Sequence, residues 1–95
     1  MKDVYFGNWN SKQDMMGDFQ IFDNDLKGCN ILYADYEYGN YDGWCIVIFR
    51  KNRKLYEVIG SHCSCYGLEG QWDPQETSVA ALRRSNPDIA KKLFG

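Results

Sequence analysis

Ile31-Leu32-Tyr33-Ala34-Asp35-Tyr36-Glu37-Tyr38, then Trp44-Cys45-Ile46-Val47-Ile48-Phe49, then Leu55-Tyr56-Glu57-Val58-Ile59-Gly60 are the three runs that decide the fold. All are rich in β-branched and aromatic side chains, which suit a pleated, half-buried surface. The first alternates apolar and polar residues after Ala34, as a strand does when its two faces meet different surroundings. The second is apolar on both faces and reads as the central, most deeply buried strand. Gly39-Asn40 and Asp42-Gly43 supply turn chemistry between the first two runs. Asn52, which tolerates a positive φ, sits in a charged hairpin over residues 50–54 that leads into the third. The expectation is an antiparallel meander of three or more strands, at about 30–38, 44–50 and 54–62.

Outward from the meander, Val4-Tyr5-Phe6 reads as a short strand at the N-terminal end. Ser11, followed three residues later by Asp14, resembles a helix start, and Met15, Met16 and Phe19 fall on one face of the turns after it. A short helix over about 11–19 is predicted, weakened by roughly 1 kcal/mol at Gly17 and so dependent on the packing of its methionines. On the other side, Asp73-Pro74-Gln75-Glu76 combines a cap residue, proline at the first helical position and a glutamate placed to close a capping box, so a helical turn is expected there. Thr77 is the expected N-cap of a helix running to Arg83-Arg84, whose charges suit the negative helix end. Asn86-Pro87-Asp88 starts another, with Ile89, Leu93 and Phe94 on one stripe. Strands followed by helices define an α+β fold, with short N-terminal and C-terminal helices packed on the sheet.

The 95 residues suffice for one hydrophobic core, so residues 1–95 form a single domain. Hydrophobic residues at 44% and aromatics at 16% argue against disorder. So small a core leaves room for further stabilisation by a partner or a homodimer. No stretch approaches the roughly twenty apolar residues that span a bilayer, and Met1-Lys2-Asp3-Val4 lacks a signal-peptide core, so a cytoplasmic protein without membrane contact is expected. Cys29, Cys45, Cys63 and Cys65 are then thiols rather than disulfides. The net charge of −2 conceals a segregation: residues 14–42 hold seven acids against Lys27 alone, while Arg50, Lys51, Arg53 and Lys54 cluster after them. An acidic balance argues against direct nucleic-acid binding, which draws on a basic face, and favours a protein partner.

The least generic segment is Gly60-Ser61-His62-Cys63-Ser64-Cys65-Tyr66-Gly67-Leu68-Glu69-Gly70-Gln71-Trp72, which contains the only histidine. His62, Cys63 and Cys65 are ligand types for zinc. Structural zinc sites separate cysteines by two to four residues, whereas one residue separates Cys63 from Cys65, which puts their Cα atoms ~6.6 Å apart on an extended strand. Adjacent His62 and Cys63 point to opposite faces of a strand, so a shared metal, or a Cys/His thiol enzyme centred on His62, Cys63 and Cys65, needs a bend that Gly60 and Gly67 permit. The plainer reading is a strand end entering a glycine loop, with Cys63 and Cys65 lining the core and Trp72 closing the sheet edge. The run Ser61-His62-Cys63-Ser64-Cys65-Tyr66-Gly67-Leu68-Glu69 ahead of Trp72-Asp73-Pro74 resembles that of a family of small proteins encoded by tailed bacteriophages, over roughly residues 30–84. The resemblance implies a phage origin and brings no activity, cofactor or site residue with it; by analogy, small phage proteins often inhibit host enzymes.

Function is then expected at the surface. Tyr33, Tyr36, Tyr38 and Tyr41 lie with Asp35, Glu37 and Asp42 in one strand and turn, and Trp44 follows at once. Tyrosine and tryptophan give large contact area at small entropy cost, and neighbouring acids steer a basic partner. These eight residues are the expected contact face of a binding protein, an inhibitor or adaptor acting on a host macromolecular enzyme. The competing reading packs the same tyrosines against a helix.

Overall fold

A computed structural model describes residues 4–39, 42–63 and 67–95 of the chain. Along the sequence run β1 (Tyr5–Gly7), α1 (Lys12–Phe19), a 3-10 turn (Asp23–Leu26), β2 (Asn30–Gly39), β3 (Asp42–Lys51), β4 (Lys54–Cys63), β5 (Gln75–Thr77), α2 (Val79–Ser85) and α3 (Pro87–Phe94). The strands form one mixed sheet in the order β1-β2-β3-β4-β5. Its centre is the expected meander, with β3 antiparallel to both neighbours and every side chain from Cys45 to Phe49 buried. Asn52 and Arg53 both adopt left-handed φ, 53° and 65°, the twist that a tight hairpin demands.

Both short strands extend this centre. β1 pairs parallel to β2, with Tyr5 opposite Ala34 and Gly7 opposite Tyr36. β5 replaces the helical turn expected from Asp73-Pro74-Gln75-Glu76 and pairs with β4, Thr77 opposite Leu55 and Gln75 opposite Glu57. The edge of β4 offers ladder hydrogen bonds that a local capping preference of a few tenths to 1 kcal/mol, in order of magnitude, does not outweigh. Thr77 is therefore spent on the strand, and the N-cap of α2 is Ser78, whose hydroxyl accepts the Ala81 N–H at 3.1 Å. At α1, Ser11 accepts the Asp14 N–H at 3.2 Å, and Met15 and Phe19 are buried.

The sheet has two covered faces. One carries Ala34, Tyr36, Cys45, Val47, Phe49 and Val58, over which Trp9, Met15, Phe19, Leu26 and Leu68 pack. The other carries Ile46, Ile48 and Leu55, against which α2 and α3 place Leu82 and Ala90, with Ile89, Leu93 and Phe94 at the margin. Each fully buried Leu or Ile contributes about 1.5–3 kcal/mol. No helix among the described residues is long and apolar enough to cross a membrane.

Two expectations for the cysteine-rich segment give way here, Trp72 as the closure of the sheet edge and Cys63 as a core residue. Trp72 instead lies flat on the face, its ring 5.8 Å from Phe49 and inclined 13°, with Phe19 edge-on at 5.1 Å. The edge is closed by Gln71, whose side-chain amide accepts from Ser61 N–H at 2.9 Å and donates to Ser61 O at 2.8 Å and Gly67 O at 3.0 Å, as a neighbouring strand would. Cys63 is exposed, because the alternation of β4 turns it away from the face that Val58 and Gly60 bury.

Candidate functional site

Strand pairing sorts the expected contact residues onto two faces. Across the sheet, Asp35 stands opposite Ile46 and Ile46 opposite Ile59; one step on, Glu37 stands opposite Trp44 and Trp44 opposite Ser61. In the other direction Tyr33 faces Ile48 and Ile48 faces Glu57. Side chains directly opposite share a face, so Tyr33, Asp35, Glu37, Trp44, Glu57 and Ile59 belong to the side on which α2 and α3 lie. Those helices cover Ile46, Ile48 and Leu55 and pack against Tyr33, but leave Trp44 and Ile59 exposed. Trp44 is 42% exposed and Ile59 57%.

Acidic side chains lie on this face both beside the exposed pair and at the edge of the covered part. Asp35 and Glu57 are partly buried, and one carboxylate oxygen of each, Asp35 Oδ1 and Glu57 Oε2, is shut off from solvent with no hydrogen-bond partner among the described residues. The second oxygen of Asp35 accepts from the Tyr33 hydroxyl at 3.4 Å. Burial first and the Asp35 charge second push the Tyr33 phenol up. Lys92 reaches over from α3 but rests on the Phe6 ring, 3.8 Å from its centroid, rather than on a carboxylate. Where the hairpin of β2 and β3 begins, Asn8, Glu37, Tyr38, Asp42 and Trp44 line a shallow hollow of about 460 Å³.

Tyr36 and Tyr38 lie on the opposite face. Tyr36 is buried against Trp9, ring centroids 5.2 Å apart, and Trp9 is in turn fixed by its Nε1–H donating to Asp18 at 2.7 Å. The Nδ1 of His62 meets the carbonyl of Cys63 at 2.9 Å and so carries the ring proton. Its Nε2 is then the acceptor, and the Tyr36 hydroxyl donates to it at 2.5 Å. Burial, reinforced by the Asp18 charge, pushes the Tyr36 phenol up to about 12. Tyr38 stacks on the outer side of the imidazole at 5.2 Å and is half exposed. Gly43 leaves the space that the ring occupies: a Cβ there would run into His62. Tyr41 lies outside the described residues.

For the metal and thiol chemistry, His62 and Cys63 sit on opposite faces of β4, and both imidazole nitrogens are engaged. Cys65 lies outside the described residues, among which no three His, Cys, Asp or Glu side chains gather to hold a metal. Cys45 is fully buried, its thiol pushed up to about 12 by desolvation, and Cys29 is partly buried with its thiol also raised. Neither is poised as a thiolate. Sequence reasoning missed Glu57 and Ile59 as site residues. Their signal was the order Leu55, Glu57, Ile59, Ser61 on one side of β4, which mixes polar and apolar where a covered face would be uniformly apolar. No family model, curated protein or solved structure matches the chain.

Proposed function

We propose that the chain is a small binding protein that docks on a larger macromolecule through the uncovered acidic and aromatic half of its sheet. The observation that carries this reading is the exposure of Trp44 and Ile59, diagonal neighbours on adjacent strands of one face of the sheet. Large apolar side chains held out to solvent and rimmed by charge are what hot spots of protein interfaces are made of. Asp35, Glu37, Asp42 and Glu57 supply the rim and favour a basic partner. The phage-like run at residues 61–69 extends the proposal to a phage protein working in the host cytoplasm as an inhibitor or adaptor of a host enzyme. The zinc and thiol alternatives draw less support, since His62 is occupied by Tyr36 and the carbonyl of Cys63, and the side chain of Cys63 is turned away.

Capture from host lysate by the wild-type protein and by Trp44→Ala/Ile59→Ser, followed by assay of the captured enzyme with and without added protein, tests this. The expected result is a basic host protein retained by the wild type, released by salt, lost with the variant, and altered in activity when bound. Retention that is identical for the two proteins would sink the docking face. A shift of free DNA in a gel would redirect the proposal to nucleic acid.

A further inference from the structure

On the other face of the sheet, at the end away from Trp44, lies a cavity that the docking proposal does not use. It opens between the 3-10 turn, the hairpin of β3 and β4 and the lead-in to β5, and its volume is about 270 Å³. Pockets that take small molecules run from roughly 300 Å³ upward, so this one suits a ligand of one or two rings. Its wall is aromatic. Phe49 and Tyr56, cross-strand neighbours, incline their rings by 18° with centroids 5.3 Å apart, and Pro74 stands beside them. A planar ring laid against such a pair is held by stacking as well as by burial. The polar side of the cavity is cationic. The stem of Lys51 lies along the turn at Gly28, where an added Cβ would stand 3.7 Å from Lys51 Cε. Packed there, its ammonium has no carboxylate partner among the described residues, whose ion pair joins Lys54 to Glu76. Cys29 lines the same cavity, and burial raises its thiol against the lowering charges of Lys51 and of Lys12 from α1. Two lysines from different elements thus act on one thiol. The acid of the lining, Asp25, has one carboxylate oxygen already accepting the Phe22 N–H at 2.8 Å.

We infer that this cavity binds a small planar aromatic anion, its ring against Phe49 and Tyr56 and its charged group, a carboxylate or a phosphate, on the ammonium of Lys51. An ammonium is a compact charge with three donors and no acceptor, so it pairs with either anion. A neutral or cationic ring of the same size would fill the aromatic side and leave that charge without a counterpart. Arg53, in the same hairpin, and Lys12 add to the positive field around the mouth and favour the approach of an anion. A ligand seated there touches Cys29, so the thiol reports its presence. Trp44 and Ile59 lie on the opposite face, so this site and the docking face stand or fall separately.

The test uses the full chain and three probes, naphthoate, naphthyl phosphate and the uncharged naphthamide. Binding is read by amide chemical shifts and by the rate at which iodoacetamide alkylates each cysteine, resolved by mass spectrometry. The better-bound anion is expected to shift the amides of Cys29, Lys51 and Asn52 and to slow alkylation of Cys29, while exposed Cys63 reacts as before. Naphthamide should bind about tenfold more weakly than that anion, the loss of one charge-assisted hydrogen bond. Lys51→Met, which keeps an apolar stem over Gly28, should bring the anion down to the affinity of the amide and leave the amide unchanged. Whichever anion binds more tightly identifies the charged group as carboxylate or phosphate. The inference is overturned if neither anion slows alkylation of Cys29 at millimolar concentration, if the shifts gather at Trp44 and Ile59, or if naphthamide binds as well as the anions. Anion binding undiminished in Lys51→Met overturns it too. Should that variant fail to fold, the comparison of anion with amide on the wild-type chain decides.

Discussion

Tyr36 and Cys45 are the two side chains whose protonation the fold restrains most, and both titrate on the alkaline side. Each has a folded value of about 12, against 10.0 and 9.0 unperturbed, because burial disfavours the anion. A raised folded value contributes stability that is fully present below the unperturbed value and is lost as pH climbs through the folded one. The protein should therefore weaken progressively from about pH 9 to 12. Tyr36→Phe should flatten the part of this loss above pH 10.0 while costing about 1 kcal/mol at neutral pH for the bond to His62, measured by urea unfolding across pH. An unchanged alkaline slope would show that Tyr36 is not a source of it. At Gly43, the His62 ring occupies the space of a Cβ, so Gly43→Ala should destabilise by about 1–3 kcal/mol through overpacking. Thiol labelling reads the same alternation directly: Cys63 should react in the native protein and Cys45 only on unfolding.

At the scale of elements, the ends of the sheet are held by side chains rather than by long strands. Gln71 completes the β4 edge beyond β5 with two hydrogen bonds to Ser61, and a third to the carbonyl of Gly67 fixes its amide. Gln71→Ala should accelerate hydrogen exchange at the Ser61 amide and cost about 1–2 kcal/mol, with little effect at the β2–β3 pairing. Exchange at Ser61 as slow as in the wild type would mean that another group guards the edge. The segments before and within the C-terminal helices show what is legible locally and what is not. Pro87 at the first position of α3 and the apolar stripe after it mark that helix in the sequence, because both signals are properties of the segment itself. Asp73 to Glu76 carries an equally good local signal and becomes the lead-in to β5 and part of it. A three-residue strand has no signature apart from the strand it pairs with, and neither that pairing nor the parallel one of β1 to β2 is written in either partner alone.

On the scale of the whole molecule, the sheet is thickly covered on one face and half covered on the other. Two helices of 7 and 8 residues reach across only part of a sheet whose central strands are 10 residues long. Removing Trp44 and Ile59 from the uncovered part should change global stability by no more than about 0.5 kcal/mol while abolishing partner capture, a split that a core role for either residue would not produce. Stability and capture measured on the same preparation decide it. With four acids around the face, the association rate should fall as salt rises, whereas dissociation should respond mainly to loss of the apolar pair.

From the sequence alone came the α+β class, the central meander, the burial of Cys45 to Phe49 and the capped start of α1, because each is a matter of propensity, period or turn chemistry within a dozen residues. Period also says which residues share a side of a strand, but it does not say which side another element will cover. That was decided in three dimensions: Tyr36 and Tyr38 went to the His62 side, Asp35, Glu37 and Trp44 to the other, and Glu57 and Ile59 joined the latter from a strand some twenty residues away in the chain. Cross-strand register brings such residues together, and register is a property of the paired strands, not of either one.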